Sequence, residues 1–312
     1  MIVGPAPTPD GMAHSSPGRA CPACGTLSPI AIVAKDVNRA ISNHEFHYAR
    51  CPACGLLFLT DPPENLSAFY ADDYYQTPTA ERIAYVARRE HYQVEVLLRN
   101  IAPPARVVEI GAAWGVFAWQ AKHSGYDVHA IEMDSRCCHH LKGVVGVSAT
   151  CSDRPDQVLA DLPPSGAIVM WQVLEHLTDP ASVLDASVSN LAPGGVLVIA
   201  TPNPESMGMR LMGARWPHLD APRHLMLIPP ALLGRWCLER GLEQVSIDDT
   251  DVGARRWNRF AWQRMLLNRV RGRAASLPLR VAGAALSAAV SPWETKPGRG
   301  SSYTAVFRKI PT

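Results

Sequence analysis

Residues 106–115 read RVVEIGAAWG and determine the class of the fold. The apolar first half predicts a short buried strand, and Gly111 and Gly115 predict a turn after it. The next segment, VFAWQAKHSG at 116–125, has the pattern of a helix that ends at its glycine, and YDVHAIEMD at 126–134 predicts a second strand. A strand, a helix and a strand of these lengths form a βαβ unit, in which the two strands are parallel.

The same alternation continues toward the C-terminus. Further strands are predicted in AIVMWQVLEHL (167–177), VLVIATPN (196–203), EQVSIDDTD (243–251) and SYTAVFRK (302–309). Helices are predicted in SRCCHHLKG (135–143), DPASVLDASVSNLAPGG (179–195) and ALLGRWCLERGL (231–242). Because helical crossovers cover both faces of a parallel sheet, the pattern predicts a layered α/β domain.

Glu132 lies at the end of the second strand, 23 residues after Glu109. Small residues in the first turn let a ligand approach the backbone, and the helix that follows offers free N–H groups and the positive end of its dipole. A carboxylate at the end of the next strand can accept both hydroxyls of a ribose. The two features together predict a nucleoside-binding crevice at the carboxyl ends of the strands.

Two copies of the tetrapeptide CPAC, each followed by a glycine, predict a metal site. A Cys-x-x-Cys turn directs two thiolates at one point, and two such turns complete a tetrahedral zinc site in which no position is left for water. Two separate buried or redox-active pairs are the alternative, and the duplication of the whole tetrapeptide argues against it. The predicted ligands of a structural zinc ion are Cys21, Cys24, Cys51 and Cys54.

Composition restricts the class of protein further. The chain has 312 residues, of which 47% are hydrophobic and 19% charged, so disorder over the whole length is excluded. The net charge is +2, but residues 251–312 carry 12 basic and 2 acidic side chains, a net charge of +10. We find no apolar segment of membrane-spanning length and no signal-peptide pattern in the first twenty residues, and we expect a cytoplasmic protein.

The sequence resembles the class I S-adenosylmethionine-dependent methyltransferases. EIGAAWG is similar to their first motif, although Ala113 and Trp114 stand where a further glycine is usual. AIEMD, VMWQVLEHLTDP and LAPGGVLVIATPN are similar to later motifs of the branch that includes the ubiquinone-pathway O-methyltransferases, and CPxCG, GLLFLTDPP and FYADDYY resemble bacterial members with an N-terminal zinc ribbon. The resemblance covers residues 21–249 and implies a Rossmann-like, seven-stranded sheet with helices on both faces, plus a small zinc ribbon.

The resemblance also implies which residues bind S-adenosylmethionine. Those expected at the methionine end are Glu109, Gly111, Ala113 and Gly115. Those expected elsewhere are Glu132 at the ribose, Met133 over the adenine, Asp153 at the adenine amino group, and Trp171 and Gln172 beside the sulfonium.

Two histidines are candidates for the base that a hydroxyl acceptor requires. His176 follows Glu175 just after a predicted strand, and a packed structural histidine is the alternative there. His224 lies with Asp220 and Arg223 in a non-helical stretch of the kind that covers a substrate. We therefore favour His224.

The chain is expected to divide into six segments. They are a disordered tail (1–20), a zinc ribbon (21–60), a helical linker or cap over the cofactor site (61–105), a cofactor-binding core (106–250), a basic helical insertion (251–300) and a final strand (301–312). The insertion has seven arginines and no acid between residues 254 and 273. It is expected to cover the acceptor pocket or to form a dimer contact, and contact with an anionic acceptor or with an anionic membrane surface is the alternative.

The expected reaction is methyl transfer from S-adenosylmethionine to a hydroxyl of a small molecule or glycan. Carbon or nitrogen methylation of a sugar or natural product is the first alternative, and a catalytically inactive zinc-ribbon binding protein is the second. No nucleic-acid partner is expected, because the sequence has no Asn/Asp-Pro-Pro-aromatic motif and residues 21–55 contain only three basic side chains.

Overall fold

The structure is a computed structural model that describes residues 18–70, 77–268 and 276–311. Most of the predicted N-terminal tail, residues 1–17, lies outside the described residues.

Strands β1–β13 are Arg19–Ala20, Leu27–Ser28, Ile30–Ala34, Phe46–Arg50, Leu57–Leu59, Arg106–Ile110, Asp127–Glu132, Ser148–Cys151, Ser165–Trp171, Leu191–Pro202, Met226–Leu227, Leu242–Asp248 and Ser302–Lys309. Helices α1–α10 are Ala80–Arg89, Tyr92–Asn100, Val116–His123, Ser135–His140, Pro155–Asp161, Pro180–Asn190, Met207–Met212, Pro230–Glu239, Val252–Leu267 and Ser276–Glu294.

The central sheet has seven strands in the order β12-β13-β10-β9-β6-β7-β8. Strands β10, β9, β6, β7 and β8 are parallel, and β13 runs antiparallel to both of its neighbours. The predicted seven-stranded α/β sheet is therefore confirmed. The chain builds outward from β6 first toward β8 and then toward β10, and ligands of such sheets bind at this reversal, beyond the carboxyl ends of the strands.

Apolar side chains bury both faces of the sheet. On β6, Val108 and Ile110 pack into one core, whereas Val107 packs into a second core together with Phe117 of α3. This alternation follows from the two-residue period of a strand. Some helices begin at a residue whose side chain caps them; for example, the Asp134 side chain accepts hydrogen bonds from the backbone N–H groups of Arg136 and Cys137 in α4.

A second, four-stranded sheet has the order β11-β5-β4-β3 and is antiparallel. Strands β3–β5 come from the cysteine-containing N-terminal segment, whereas β11 lies far along the chain and pairs Leu227 with Leu57. Beneath this sheet Tyr48, Trp216 and Trp262 are buried in a third core. The N-terminal segment is thus continuous with the core of the protein through both a sheet and a packed interface. Arg19 and Ala20, placed in the disordered tail by the sequence prediction, instead pair with β2.

Helices α9 and α10 lie between β12 and β13 and pack against each other. The indole N–H of Trp262 on α9 donates to the carboxylate of Glu294 on α10, at 3.1 Å. Asp251 caps the N-terminus of α9. Among the described helices, none has the length and apolar character needed to span a bilayer.

Candidate active site

A cavity of about 940 Å³ lies at the carboxyl ends of β6, β7 and β9. Ligand pockets have volumes of roughly 300–1,000 Å³, so the space suffices for a nucleoside and a second small molecule. Seven of the nine residues predicted to contact a cofactor line it: Gly111, Ala113, Glu132, Met133, Asp153, Trp171 and Gln172. The structure thus brings together residues that the sequence separates by up to about sixty positions.

The turn after β6 brings backbone to the edge of the cavity. Gly111 has φ of 71°, and a Cβ atom there would lie 2.5 Å from Cγ2 of Val173. Ala113 also has a left-handed conformation, with φ of 47°, and its N–H donates to Oε2 of Glu132 at 2.7 Å. The Val173 side chain therefore occupies the position that a side chain at residue 111 would take, and the turn is held to the end of β7 through Ala113.

Glu132 is the buried carboxylate of the site, with 3% of its surface exposed. Its Oε1 accepts from the backbone N–H of Asp134 at 2.9 Å, and burial raises the pKa of its carboxyl group. Met133 and Asp153 are exposed at the rim beside it. A fixed carboxylate between two exposed rim residues is suited to bind the hydroxyls of a ribose.

Two predicted contacts lie away from the described cavity lining. Glu109 shares the strand face of Val107, opposite to Ile110, and is buried behind the turn with one carboxyl oxygen that no described group hydrogen-bonds. Burial and the nearby Glu132 raise the pKa of Glu109 well above its usual value. Gly115 begins α3 and packs against Leu141. Strand alternation and helix packing therefore keep Glu109 and Gly115, both expected at the methionine end, out of the described cavity lining.

Both candidate bases line the cavity, and their rings contact each other with centroids 4.5 Å apart. Nδ1 of His176 lies 3.0 Å from the carbonyl oxygen of Arg223, and Nδ1 of His224 lies 2.7 Å from that of His218. A carbonyl only accepts, so in each ring Nδ1 donates its proton to the carbonyl and Nε2 carries a lone pair; the Tyr70 hydroxyl also lies 3.0 Å from Nδ1 of His176. Burial lowers the pKa of His176, and burial together with the neighbouring His176 lowers that of His224 to about 3. Both rings are neutral at neutral pH.

Glu175 adds a buried carboxyl group to the two histidines. One ligand atom of each of these three side chains lies within 4.8 Å of the others. Oε2 of Glu175 accepts from the hydroxyl of Thr201 at 2.9 Å, while Oε1 is buried without a partner among the described residues. Burial raises the pKa of Glu175 to about 8. The sequence places Glu175 beside His176, but it gives no sign that the carboxyl group is buried.

At the opposite end of the cavity, α9 and the loop after β3 face each other. Trp257, Phe260 and Arg264 of α9 line the cavity together with Asn38 and Arg39 of the loop. The sequence predicts a helix here but not the stripe that faces the cavity, because the apolar and basic residues are spread around the helix.

Below this end, Arg223 binds two carboxylates. Its guanidinium lies 2.8 Å from Asp36 and 2.8 Å from Asp220, and the side chains of Arg223 and Asp36 are 1% and 0% exposed. Arg223 also donates to the carbonyl of Phe69. Asp220 and Arg223, which belong to the stretch predicted to cover a substrate, therefore take part in a structural ion-pair network between distant segments.

The four predicted zinc ligands converge. The shortest sulfur–sulfur separations are 3.5 Å for Cys24 and Cys51 and 3.6 Å for Cys21 and Cys54. Sulfurs at the corners of a tetrahedron with bonds of about 2.3 Å to zinc lie roughly 3.8 Å apart. Gly25 donates its N–H to Cys21 and Gly55 to Cys51, so the two turns have the same geometry. This donor set could hold a zinc ion.

The strand order and the cavity at the ends of β6, β7 and β9 define a class I methyltransferase domain. A protein family described as a methyltransferase domain matches residues 81–247, which is more than half of the chain, and the chain belongs to this family.

Curated relatives carry the name of a methyltransferase. The ubiquinone biosynthesis O-methyltransferase of Xanthomonas axonopodis pv. citri is 27% identical over 150 residues, which are 45% of this chain and 63% of the relative. That of Xanthomonas campestris pv. campestris strain B100 is 30% identical over 129 residues, 39% of this chain and 54% of the relative. The matched part thus spans somewhat more than half the length of these relatives.

Two solved structures share the fold. A SAM-dependent methyltransferase from Archaeoglobus fulgidus has a TM-score of 0.50 and 16% identity, covering 73% of this chain and 94% of that one. Phosphoethanolamine N-methyltransferase 2 of Haemonchus contortus, solved in complex with S-adenosyl-L-methionine, has a TM-score of 0.54 and 12% identity, covering 82% of this chain and 62% of that one.

Proposed function

We propose that this chain transfers a methyl group from S-adenosylmethionine to a hydroxyl oxygen of a small molecule or glycan. The observation that carries the proposal is the combination of a ribose-type site at Glu132 with two neutral histidines in one cavity. The names of the curated relatives favour oxygen as the methylated atom.

The residues at the carboxyl ends of β6, β7 and β9 fit the proposed cofactor. Gly111 brings backbone without a side chain to the lining of the cavity, where a ligand can approach it closely, and Glu132 offers a buried carboxylate to ribose hydroxyls. Trp171 and Gln172 would lie beside the sulfonium. When bound, S-adenosylmethionine supplies an electrophilic methyl group, and the chain must hold the acceptor oxygen in line with it.

The histidines are placed to accept the acceptor's proton at Nε2. A base whose pKa is far below the working pH is a weak proton acceptor, and burial lowers the pKa of His224 to about 3, whereas His176 is the less buried of the two rings. We therefore assign proton acceptance to His176 and the orientation of its ring to Arg223 and His224. The sequence alone favours His224 as the base, so this assignment moves that role to His176.

We also propose that Cys21, Cys24, Cys51 and Cys54 hold a structural zinc ion. The four sulfurs match the spacing of a tetrahedral zinc site, and they belong to turns that lead into the second sheet. The ion would hold β3–β5 in place beside β11, which begins two residues after His224.

Calorimetric titration with S-adenosylhomocysteine and S-adenosylmethionine tests the cofactor site. We expect micromolar dissociation constants, a binding free energy of about −8 kcal/mol, and at least a ten-fold loss in Glu132→Ala. Asp127→Ala is the matched control, because Asp127 is an exposed carboxylate at the other end of the same strand. Failure of the folded protein to bind either compound, or full affinity in Glu132→Ala, would remove the proposal.

Acceptor screening by mass spectrometry then tests the reaction. With an acceptor found, His176→Asn should lower kcat by about 10²–10⁴-fold while leaving the affinity for S-adenosylhomocysteine unchanged. Location of the new methyl group on carbon or nitrogen would replace the hydroxyl assignment.

A further inference from the structure

Two cysteines outside the group of four proposed zinc ligands lie against the end of β7. Cys138 is buried on α4, and its thiol donates to the backbone carbonyl of Glu132 at 3.2 Å. Cys151 is the exposed last residue of β8, and its sulfur lies 3.6 Å from the carbonyl oxygen of Met133. Since Glu132 and Met133 are consecutive residues, both thiols point toward the same short stretch of backbone.

The local backbone brings the two cysteines together. Cys151 is the residue of β8 that pairs with Glu132 of β7, and α4 begins three residues after β7 ends. The thiols of Cys138 and Cys151 hydrogen-bond each other. A disulfide requires the sulfurs to approach to about 2.05 Å, and thiols that are already in contact reach this distance by side-chain rotation and small backbone shifts.

The cysteine pair adjoins the part of the cavity that would bind the nucleoside. Glu132 and Met133 line the cavity, as does Ser152, which directly follows Cys151. The carbonyl of Glu132 accepts from the thiol of Cys138 and also from the N–H of Ser152, at 2.9 Å. A covalent bond between α4 and β8 would take the thiol away from this carbonyl, and it would shift the segments that hold the Glu132 carboxylate and the rim of the cavity.

The two cysteines differ in exposure. β8 is an edge strand of the central sheet and Cys151 is exposed there, whereas Cys138 is only 3% exposed. Burial raises the pKa of Cys138 to about 12, and its hydrogen bond with Cys151 adds to this rise. A small oxidant therefore reacts first with Cys151, and Cys138 is placed to attack the product.

We propose that Cys138 and Cys151 form a reversible disulfide that weakens binding of the nucleoside part of the cofactor. The oxidant is a low-molecular-weight disulfide, for which glutathione disulfide is the probe. The effect on binding rests on the proposed cofactor site, whereas formation of the bond depends on the two cysteines alone.

The reaction is a pair of thiol–disulfide exchanges. The thiolate of Cys151 attacks one sulfur of glutathione disulfide, forms a mixed disulfide and releases one glutathione. Cys138 then loses its proton and attacks the sulfur of Cys151, and the second glutathione leaves. The two cysteines lose two electrons, and glutathione disulfide takes up these electrons and the two thiol protons to become two glutathione molecules. Because Cys138 carries little thiolate at neutral pH, the second exchange is the slow step.

The test brings the full-length protein, purified with zinc, to equilibrium in glutathione buffers of increasing oxidising strength. Peptide mapping by mass spectrometry should show a Cys138–Cys151 disulfide that dithiothreitol removes. Calorimetric titration should give a dissociation constant for S-adenosylhomocysteine about ten-fold higher in the oxidised protein than in the reduced protein. Because coupling between two equilibria is reciprocal, saturating S-adenosylhomocysteine should raise the reduction potential of the pair by about 30 mV, the equivalent of a ten-fold change.

Three variants locate the effect. Cys138→Ala and Cys151→Ser each remove one partner of the bond, and neither should lose affinity on oxidation. Cys151→Ser changes an exposed residue, so it tests the inference if Cys138→Ala fails to fold. Cys137→Ala is the control, because it removes the neighbouring buried cysteine of the same helix and should leave the effect of oxidation intact. All three variants retain the four proposed zinc ligands, so a loss of affinity caused by oxidation of those ligands would occur in all of them.

Three results would overturn the inference while the reduced protein binds S-adenosylhomocysteine. They are the absence of the disulfide in the most oxidising buffer, equal affinity of the oxidised and reduced proteins, and an equal loss of affinity in Cys151→Ser and the wild type. Failure of the folded, reduced protein to bind S-adenosylhomocysteine would instead refute the proposed function and with it the effect on binding, whereas the peptide map would still show whether the bond forms.

Discussion

Gly111 shows how a single residue determines the shape of the cofactor site. Alanine at this position would adopt a left-handed conformation and would also overlap Val173. We expect Gly111→Ala to lower the free energy of unfolding by about 2–4 kcal/mol and to abolish S-adenosylhomocysteine binding. Gly194 is the matched control: it also has a positive φ, of 76°, but its Cβ would meet open space, so Gly194→Ala should cost only about 1–2 kcal/mol. Equal decreases in the free energy of unfolding of the two variants, measured by urea denaturation, would show that the surrounding structure shifts to relieve the overlap with Val173.

Glu175 should make stability depend on pH. Its pKa is about 8 in the folded protein and 4.5 when unperturbed, so between these values the folded state binds a proton that the unfolded state releases. The stabilising contribution of protonated Glu175 is therefore complete below pH 4.5 and is lost as pH rises through 8. This loss lowers the free energy of unfolding by up to about 5 kcal/mol. Glu175→Gln retains an acceptor for the Thr201 hydroxyl but cannot titrate.

The measurement for Glu175 is the difference between the two proteins in urea denaturation at pH 5.5 and at pH 8.5. The variant should gain stability relative to the wild type at the higher pH. The comparison isolates Glu175, because the lowered pKa values of the buried histidines act in both proteins and make stability fall as pH drops below 6.5. Parallel pH profiles would mean that Glu175 stays ionised.

Sequence motifs predict residues that act through the local backbone, and they fail where orientation depends on packing. Gly111 and Glu132 line the cavity, because a turn and a strand end are local features. Glu109 does not line it, because the two-residue period of β6 turns it to the face opposite the cavity contact Ile110. Arg264 was not singled out, since its place in the cavity lining depends on packing against a loop more than 200 residues earlier in the chain.

Six of the seven strands of the central sheet were predicted, whereas β8 and the strand β11 of the second sheet were not. Alternating strands and helices of ordinary length specify a parallel sheet by local pattern. In contrast, β11 has only two residues and pairs with a strand near the N-terminus. Such a short segment has no periodicity of its own, and tertiary contacts alone make it a strand.

This pairing connects the cysteine turns with the segment that carries His224, a residue of the cavity lining. Cys24→Ser should remove bound zinc, measured by atomic emission, and should lower the thermal stability of the N-terminal sheet, because structural zinc binding contributes directly to folding. Affinity for S-adenosylhomocysteine should persist, since Glu132 lies in the other sheet, while acceptor turnover should fall. Cys151→Ser, which changes an exposed cysteine outside the cluster, is the control. Full zinc content in Cys24→Ser would contradict the assignment of this cysteine as a ligand.

At the scale of the whole molecule, Arg223 joins segments that are far apart in sequence. It binds Asp36 from the N-terminal segment, Asp220 from the core and the backbone of Phe69. Burial of these charges is tolerable only because they are paired and hydrogen-bonded. The ion pair and the shared sheet should make the N-terminal segment and the core unfold together.

Arg223→Ala would leave two carboxylates buried without their cation, and we expect it to lower the free energy of unfolding by about 3–5 kcal/mol. Arg154→Ala breaks an exposed pair with Asp156 and should cost less than about 1 kcal/mol. If Arg223 couples the two parts, its loss should also split one urea transition into two, with near-ultraviolet circular dichroism and S-adenosylhomocysteine binding changing at different urea concentrations. A single, merely shifted transition would show that the pairing of β5 with β11 and the core beneath it are sufficient to keep the two parts cooperative.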